Sequence, residues 1–230
     1  MDTISIDARW KDLYKMAGIA AIVSEVVILL GIVSYFIWPY APGVKSTESI
    51  FLLLKSNPFG GLVSLDLFLF AWNLFSVLLY LALYVSLEQV NKPYALAALA
   101  VGLIAVILLI PSRPLVEMLT LSGQYASATS AAAKAQYLAT GDALLAVFNG
   151  TGWFMSNLLG GISLLVSSIL MLRGGIYSKA TAIVGIITNA MVSVFFIPGL
   201  GTFLLFLSLP GYMIWYFLLA KKFFQLGKNA

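Results

Sequence analysis

The stretch MAGIAAIVSEVVILLGIVSYFIW, residues 16–38, carries a single acidic side chain, Glu25, and no basic one. Its length matches the roughly 20 apolar residues that a helix needs to cross about 30 Å of hydrocarbon. Trp38 and Tyr40 stand at its end, where aromatic side chains mark a membrane interface, and Pro42 follows them. The stretch therefore predicts a membrane-spanning helix.

The composition extends this prediction to the whole chain. Of its 230 residues, 61% are hydrophobic and 10% are charged, and the mean hydropathy is +1.00. Soluble domains carry about 25% charged residues, so water would be a poor solvent for this surface. We therefore predict an integral membrane protein that forms a single membrane domain over residues 1–230.

Six apolar segments are long enough to be membrane spans. The polar connection LEQVNKP, residues 87–93, separates the second segment from the third, and Pro210 should kink the sixth. The predicted fold class is all-α, a polytopic membrane protein with a bundle of six transmembrane helices. The predicted spans are about 16–38, 60–84, 94–110, 152–172, 180–198 and 203–220.

Two longer connections, residues 39–59 and 111–151, should each contain short helices. TESIFLLLKS, residues 47–56, has an amphipathic pattern that is too short to span, and ASATSAAAKAQYLA, residues 126–139, is an alanine-rich helix signal. Gly141 and Asp142 suggest a break after that helix.

The distribution of lysine and arginine predicts the orientation. Cytoplasmic loops carry an excess of these residues. Placing the N-terminus inside leaves four of them on the outside, namely Lys45, Lys55, Arg113 and Lys134. The other nine lie on the cytoplasmic side, namely Arg9, Lys11, Lys15, Lys92, Arg173, Lys179, Lys221, Lys222 and Lys228. Both termini are therefore predicted to be cytoplasmic, and both long loops extracytoplasmic.

The chain lacks the residues that several classes of protein function require. The chain has no histidine and no cysteine, so the usual ligands for zinc, haem and iron–sulfur centres are missing. No catalytic constellation is recognisable, which argues against an enzyme, and we predict no cofactor and no metal site. The net charge of +4 is scattered over segment ends without a basic stripe, which favours lipid headgroups over nucleic acid as partners.

Polar residues inside the apolar segments are the candidate binding residues, because charge near the middle of a bilayer is retained mainly where it faces protein or a wet cavity. The first hypothesis is an outward-facing polar cavity that binds or transports a small molecule or ion. Asp66 and Asn157 would form its wall, Arg113 and Glu117 its mouth, and residues 112–148 its lid. Arg113 can pair with Asp66 if the third span ends at Pro111, but lies inside a continuing helix if it does not. The full candidate set is Asp66, Arg113, Glu117, Asn157, Glu25, Asn73 and Asn189.

The alternative is a structural or accessory membrane subunit without chemistry of its own, working beside a membrane protein partner. Spacing puts Asp66, Asn73, Tyr80 and Tyr84 on one face of the second span, and comparable faces of Asn, Gly and Ser occur on the fourth and fifth. Small residues allow helices to approach closely and asparagine hydrogen-bonds between helices, so these faces are also explained by packing alone. Gly160-Gly161 and Gly174-Gly175 are interpreted as packing and turn residues.

The segment ISLLVSSILMLRGGIYSKATAIVGIITNA, residues 162–190, joins two spans through Leu-Arg-Gly-Gly and a short turn. With the tail IWYFLLAKKFFQLGK, residues 214–228, and more loosely LYKMAGIAAI, residues 13–22, it resembles a family of roughly six-span prokaryotic membrane proteins that carries only a domain-of-unknown-function label. The resemblance implies six spans in the cell membrane of a bacterium or archaeon. It implies no activity.

Overall fold

The computed structural model describes residues 8–229, and these residues form helices joined by turns, without strands. The first seven residues and Ala230, which the predicted domain includes, lie outside the described part. Nine α-helices are described: α1 Lys11–Ser34, α2 Thr47–Ser56, α3 Pro58–Ser64, α4 Leu67–Leu109, α5 Leu115–Ser127, α6 Ala131–Phe148, α7 Thr151–Gly174, α8 Lys179–Ser193 and α9 Gly201–Asn229.

Helix α4 is folded back on itself at Asn91, whose backbone is extended (φ −161°, ψ 96°). The side chain of Asn91 accepts a hydrogen bond from the Tyr94 amide at 3.2 Å, as a helix N-cap does. Asn73 Nδ2 donates to the Val106 carbonyl oxygen at 3.0 Å, whereas a straight helix would put these residues about 50 Å apart. Helix α4 is therefore an antiparallel pair of limbs, residues 67–90 and 92–109, which meet at the predicted polar connection.

The described chain divides into two compact units. Of the described residues, unit 1 combines 8–26, 73–107 and 155–229. Its helices approach closely at glycines: a methyl group added at Gly102 would lie 2.4 Å from the Tyr80 ring, and one added at Gly185 would lie 2.5 Å from Trp215 Nε1. Contacts of this kind bear out the interpretation of small residues as packing positions.

Unit 2 combines residues 27–72 and 108–154. Helix α2 presents a buried apolar face to α5 and α6, and Tyr125 of α5 donates a hydrogen bond to Glu48 of α2. The core lies between the short helices of the two long connections and consists of Ala41, Ile50, Phe51, Leu54, Leu65, Leu115, Met118, Tyr125 and Phe148. These connections thus form a packed core.

The structure corrects several predicted boundaries. The first span was expected to reach Trp38, but α1 ends at Ser34. The second span was expected to begin near Gly60, but α3 ends at Ser64 and α4 begins only at Leu67. The fifth was expected to reach Pro198, but α8 ends at Ser193. The break expected at Gly141 is wrong, because α6 continues through it. Gly141 packs there against Thr47 and Phe51. Its lack of a side chain allows this close helix contact and does not mark a turn.

Within the described residues, four helical stretches are long and apolar enough to cross a membrane: Lys11–Ser34, Leu67–Ser127, Ala131–Gly174 and Phe203–Lys228. The second of these contains the reversal at Asn91. Lys179–Ser193 is a shorter apolar helix.

Candidate functional site

The candidate site lies in unit 2, where the chain passes from α3 to α4 at Asp66. This residue has a left-handed backbone (φ 67°, ψ 32°), and it alone among the described non-glycine residues has a positive φ. Such a conformation disfavours most L-residues, although aspartate and asparagine adopt it more readily than others. Asp66 stands at the N-cap of α4 without capping it, so its carboxylate is free to turn towards other partners.

Arg113 supplies the charge opposite Asp66. Its Nε lies 3.0 Å from Asp66 Oδ2, and the two side chains are only 1% and 9% exposed. Helix α4 ends at Leu109 and a 3-10 turn covers Ile110–Ser112, so Arg113 lies in the connection before α5. The sequence left its position open between that connection and a continuing helix, and the structure decides for the connection.

The remaining groups around the guanidinium hold it in place. Arg113 Nη1 donates to the carbonyl oxygens of Ser112, at 2.9 Å, and of Phe148. Its Cζ lies 4.3 Å from the centroid of the Phe148 ring and 6.0 Å from that of Trp153, both cation–π distances. Arg113 is therefore fixed by two carbonyl oxygens and an aromatic wall as well as by Asp66.

Two tyrosines complete the site. Tyr35 donates its hydroxyl hydrogen to Asp66 Oδ1, so both carboxylate oxygens of Asp66 face donors or positive charge. Tyr40 packs edge-on against Tyr35 and donates to Asn149 Oδ1 at 2.9 Å. Burial, followed by the nearby charge of Asp66, raises the pKa of Tyr40 to about 12. Tyr40 is therefore a neutral hydrogen-bond donor at any physiological pH.

This arrangement resists partial opening. A buried charge left without its partner destabilises a protein by several kcal/mol, because burial removes the water that would otherwise solvate it. A ligand that takes one partner must therefore replace the charge it displaces.

Three other candidate binding residues, Glu117, Asn157 and Glu25, take no part in the Asp66–Arg113 ion pair. Glu117 is exposed in the first turn of α5 and forms no ion pair with the described residues. Asn157 is half-buried in α7 and Glu25 is half-buried in α1, and both belong to unit 1. Glu25 Oε1 is buried and has no hydrogen-bond partner among the described residues. A cavity wall shared by Asp66 and Asn157 stays a prediction.

The two remaining candidates join helices within unit 1. Asn73 bonds the Val106 carbonyl oxygen between the limbs of α4. Asn189 is fully buried, donates to Gly185 at 2.7 Å and accepts from the Tyr212 hydroxyl at 2.9 Å. These contacts are those of helix packing. The predicted face of Asp66, Asn73 and Tyr80 needs a correction, because Asp66 precedes α4 and lies outside its helical surface.

Sequence reasoning missed the residues that surround the Asp66–Arg113 pair. Tyr35 falls at the outer end of the first apolar segment, and Tyr40 was assigned to an interfacial belt. Phe148 and Asn149 lie at the end of α6, far along the chain. For Tyr35 a sequence signal was available, because its predicted depth in the membrane is close to that of Asp66. The contacts of Phe148 and Asn149 have no such signal, because they depend on how α6 packs.

Fold and site together define an all-helical protein with the apolar helices of a membrane-embedded protein. The chain belongs to the family described as Domain of unknown function (DUF4386), whose model matches residues 16–221. Comparison with curated proteins gave no match, and comparison with solved structures gave none either.

Proposed function

We propose that this protein crosses a prokaryotic cell membrane six times and binds or transports a small molecule or ion at the Asp66–Arg113 pair on its outer side. The six spans are α1, the two limbs of α4, α7, α8 and α9. The limbs contain 24 and 18 residues, which correspond to about 36 and 27 Å of helix. Each is close to the thickness of the hydrocarbon layer.

The orientation rests on the charge distribution together with contacts within unit 1. Lys15, near the start of α1, packs against Gly227, near the end of α9, and Val90 packs against Gly174. Eight of the nine lysines and arginines assigned to the cytoplasm lie at the start of α1, the reversal at Asn91, the end of α7 and the end of α9. The ninth, Lys179, lies at the start of α8. Both termini are then cytoplasmic by the positive-inside rule.

Labelling of single cysteines tests this topology, because the native chain has no cysteine. Lys134→Cys should react with a membrane-impermeant maleimide in intact cells. Lys92→Cys and Lys228→Cys should react only after permeabilisation. Labelling of Lys92→Cys in intact cells would contradict the six-span arrangement.

The observation that carries the proposed binding site is the buried ion pair at a helix break. Membrane transporters commonly interrupt helices at their binding sites, where unwound backbone and helix ends hold charged groups. Left-handed backbone at a non-glycine residue is strained and concentrates at functional positions. Asp66 combines such a backbone with an intramembrane charge and a specific counter-ion.

The chemistry of the pair narrows the ligand. An anionic group competes for Arg113 and a cationic group competes for Asp66. A small zwitterion carries both an anionic and a cationic group and leaves neither side chain unpaired. Separating Asp66 from Arg113 therefore costs less free energy with a zwitterion than with a singly charged ligand. We therefore expect small zwitterions to bind more tightly than carboxylates or amines that carry one charge.

Ligand-dependent thermal shifts test the proposal. The purified full chain in detergent is heated with panels of zwitterions, carboxylates, amines and alkali cations. A binding compound should raise the melting temperature in proportion to the logarithm of its concentration. The shift should vanish in Asp66→Asn and persist in Asp142→Asn, an exposed carboxylate of unit 2 changed in the same way. An equal shift in both variants, or none with any panel, overturns the proposed site.

The alternative function, an accessory subunit, is favoured by the hydrogen bonds that join helices in unit 1. Asn73 and Asn189 stabilise helix contacts and require no ligand. Purification from native membranes in mild detergent separates the two functions. A stoichiometric protein partner supports the accessory subunit, whereas a chain purified alone with a bound small molecule supports the binding protein.

A further inference from the structure

A cleft of about 160 Å³ opens in unit 1, separate from the residues of the Asp66–Arg113 site. Four parts of unit 1 line it: the start of α1, the end of the first α4 limb, the turn between α7 and α8, and the end of α9. Tyr14, Gln89, Gly175 and Lys222 are among the residues that line it. The cleft thus lies among the chain segments that carry most of the basic residues.

Lys222 is the charged residue that lines this cleft. It is half-buried and forms no ion pair with any carboxylate of residues 8–229. A half-buried ammonium loses part of its hydration, and an anion held against it restores that loss. The position of Lys222 therefore favours an anionic ligand.

Uncharged donors lie beside it. Tyr14 lines the same cleft, and its hydroxyl makes no hydrogen bond within the described chain. The exposed Gln89 side chain offers an amide. Ser86 donates to the Leu83 carbonyl oxygen, so its own hydrogen is already engaged. An oxyanion in the cleft would find one positive charge and two uncharged donors.

The surrounding charges favour the same ligand. Glu88 precedes Gln89 and is paired with Lys92 at 4.0 Å, and Lys15 is paired with Asp12 at 3.7 Å. Lys221, next to Lys222, is exposed. The net charge around the cleft is therefore positive, as expected of a site that meets the anionic inner surface of a cell membrane.

We propose that this cleft binds a phosphate group, and that Lys222 is its charged ligand, with Tyr14 and Gln89 as hydrogen-bond donors. Phosphate at this position has two sources, the headgroup of an anionic phospholipid and free inorganic phosphate. The site lies in unit 1 and shares no residue with the Asp66–Arg113 pair, so it is independent of the proposed ligand at that pair. Its place at the inner membrane surface rests on the proposed topology.

Native mass spectrometry of the full chain in detergent tests the proposal. The probes are phosphatidylglycerol, phosphatidylcholine and inorganic phosphate. Phosphatidylglycerol should be retained in preference to phosphatidylcholine. Lys222→Gln should weaken its binding about tenfold, the loss expected for one charge-assisted hydrogen bond. Lys221→Gln removes the same charge from the neighbouring exposed position and should change binding less than about twofold.

The outcomes separate the sources and the failures. Lipid binding that Lys222→Gln weakens about tenfold assigns the phosphate to a headgroup. Binding of inorganic phosphate alone, lost in the same variant, assigns it to a free anion. Equal losses in Lys222→Gln and Lys221→Gln, or no binding of any probe, overturn the proposal. If Lys222→Gln fails to fold, Gln89→Ala at the exposed rim of the cleft is the test variant. Unchanged binding of the probes in Gln89→Ala also overturns the proposal.

Discussion

Asp66 and Arg113 form an ion pair between a helix break and a loop, with Arg113 Nε 3.0 Å from Asp66 Oδ2 and both side chains almost wholly buried. The pair joins the start of α4 to the connection that follows its second limb. Because Tyr35 and the Phe148 carbonyl oxygen bind the same two side chains, four separate parts of unit 2 meet there. The pair is therefore a structural junction as well as the proposed binding site.

The stability of this junction should depend on the match of charges. Asp66→Asn retains a residue that tolerates the left-handed backbone but removes the charge opposite Arg113. We expect it to lower the free energy of unfolding by about 3–5 kcal/mol, as does removal of one partner from other buried pairs. Arg113→Met should have a comparable effect. Combining both substitutions should restore much of the loss, because no buried charge is then unpaired.

Unfolding in detergent, followed by tryptophan fluorescence, measures this cycle. Strictly additive losses in the double variant would contradict a direct coupling between Asp66 and Arg113.

Alkaline pH should destabilise unit 2 through Tyr40. Its pKa is about 12 in the folded protein, against 10.0 for an unperturbed tyrosine, because burial and then the charge of Asp66 disfavour the phenolate. The folded state therefore holds this proton more tightly than the unfolded state. The associated stability is fully present below pH 10 and is lost as the pH rises towards 12.

Melting temperatures measured across this range should fall less steeply in Tyr40→Phe than in the native chain. The difference in slope should correspond to no more than about one proton. An unchanged slope would show that Tyr40 ionises equally in the folded and unfolded states.

The hydrogen bond between Tyr212 and Asn189 should stabilise unit 1. Tyr212→Phe keeps the ring but leaves the fully buried Asn189 amide oxygen without the donor that lies 2.9 Å away. We expect a loss of about 1–3 kcal/mol in the free energy of unfolding. Tyr94→Phe, at a tyrosine that is 58% exposed, is the matched control and should change stability little. Equal effects of the two substitutions would argue against the buried hydrogen bond.

The close approach at Gly102 should tolerate no side chain. In Gly102→Ala, the added methyl group would lie 2.4 Å from Tyr80 and 2.8 Å from Ser163 Oγ. The resulting strain should lower stability by about 1–3 kcal/mol. Gly123→Ala introduces the same group where no atom lies within 4 Å, and should raise stability by up to about 1 kcal/mol through helix propensity. Circular dichroism during thermal unfolding compares the two variants directly.

Part of this architecture was readable from local sequence patterns. The short helix at residues 47–56, the reversal near Asn91 and the end of the third apolar segment near Pro111 depend on nearby capping residues and prolines. The pairing of Arg113 with Asp66 was within reach too, because intramembrane charges are rare and an acid needs a counter-ion.

By itself, the sequence determined that the chain is all-helical, that its helices are apolar enough for a membrane, and which few residues bring charge into them. Those properties follow from composition and periodicity, which act over a few turns of helix. Only the tertiary structure decided that α4 begins after a left-handed Asp66, and that Tyr35 and Phe148 enclose the ion pair. A helix break of this kind carries no proline or glycine signal at Asp66. It is held by a hydroxyl and a guanidinium from distant parts of the chain, and the packing of unit 2 brings them together.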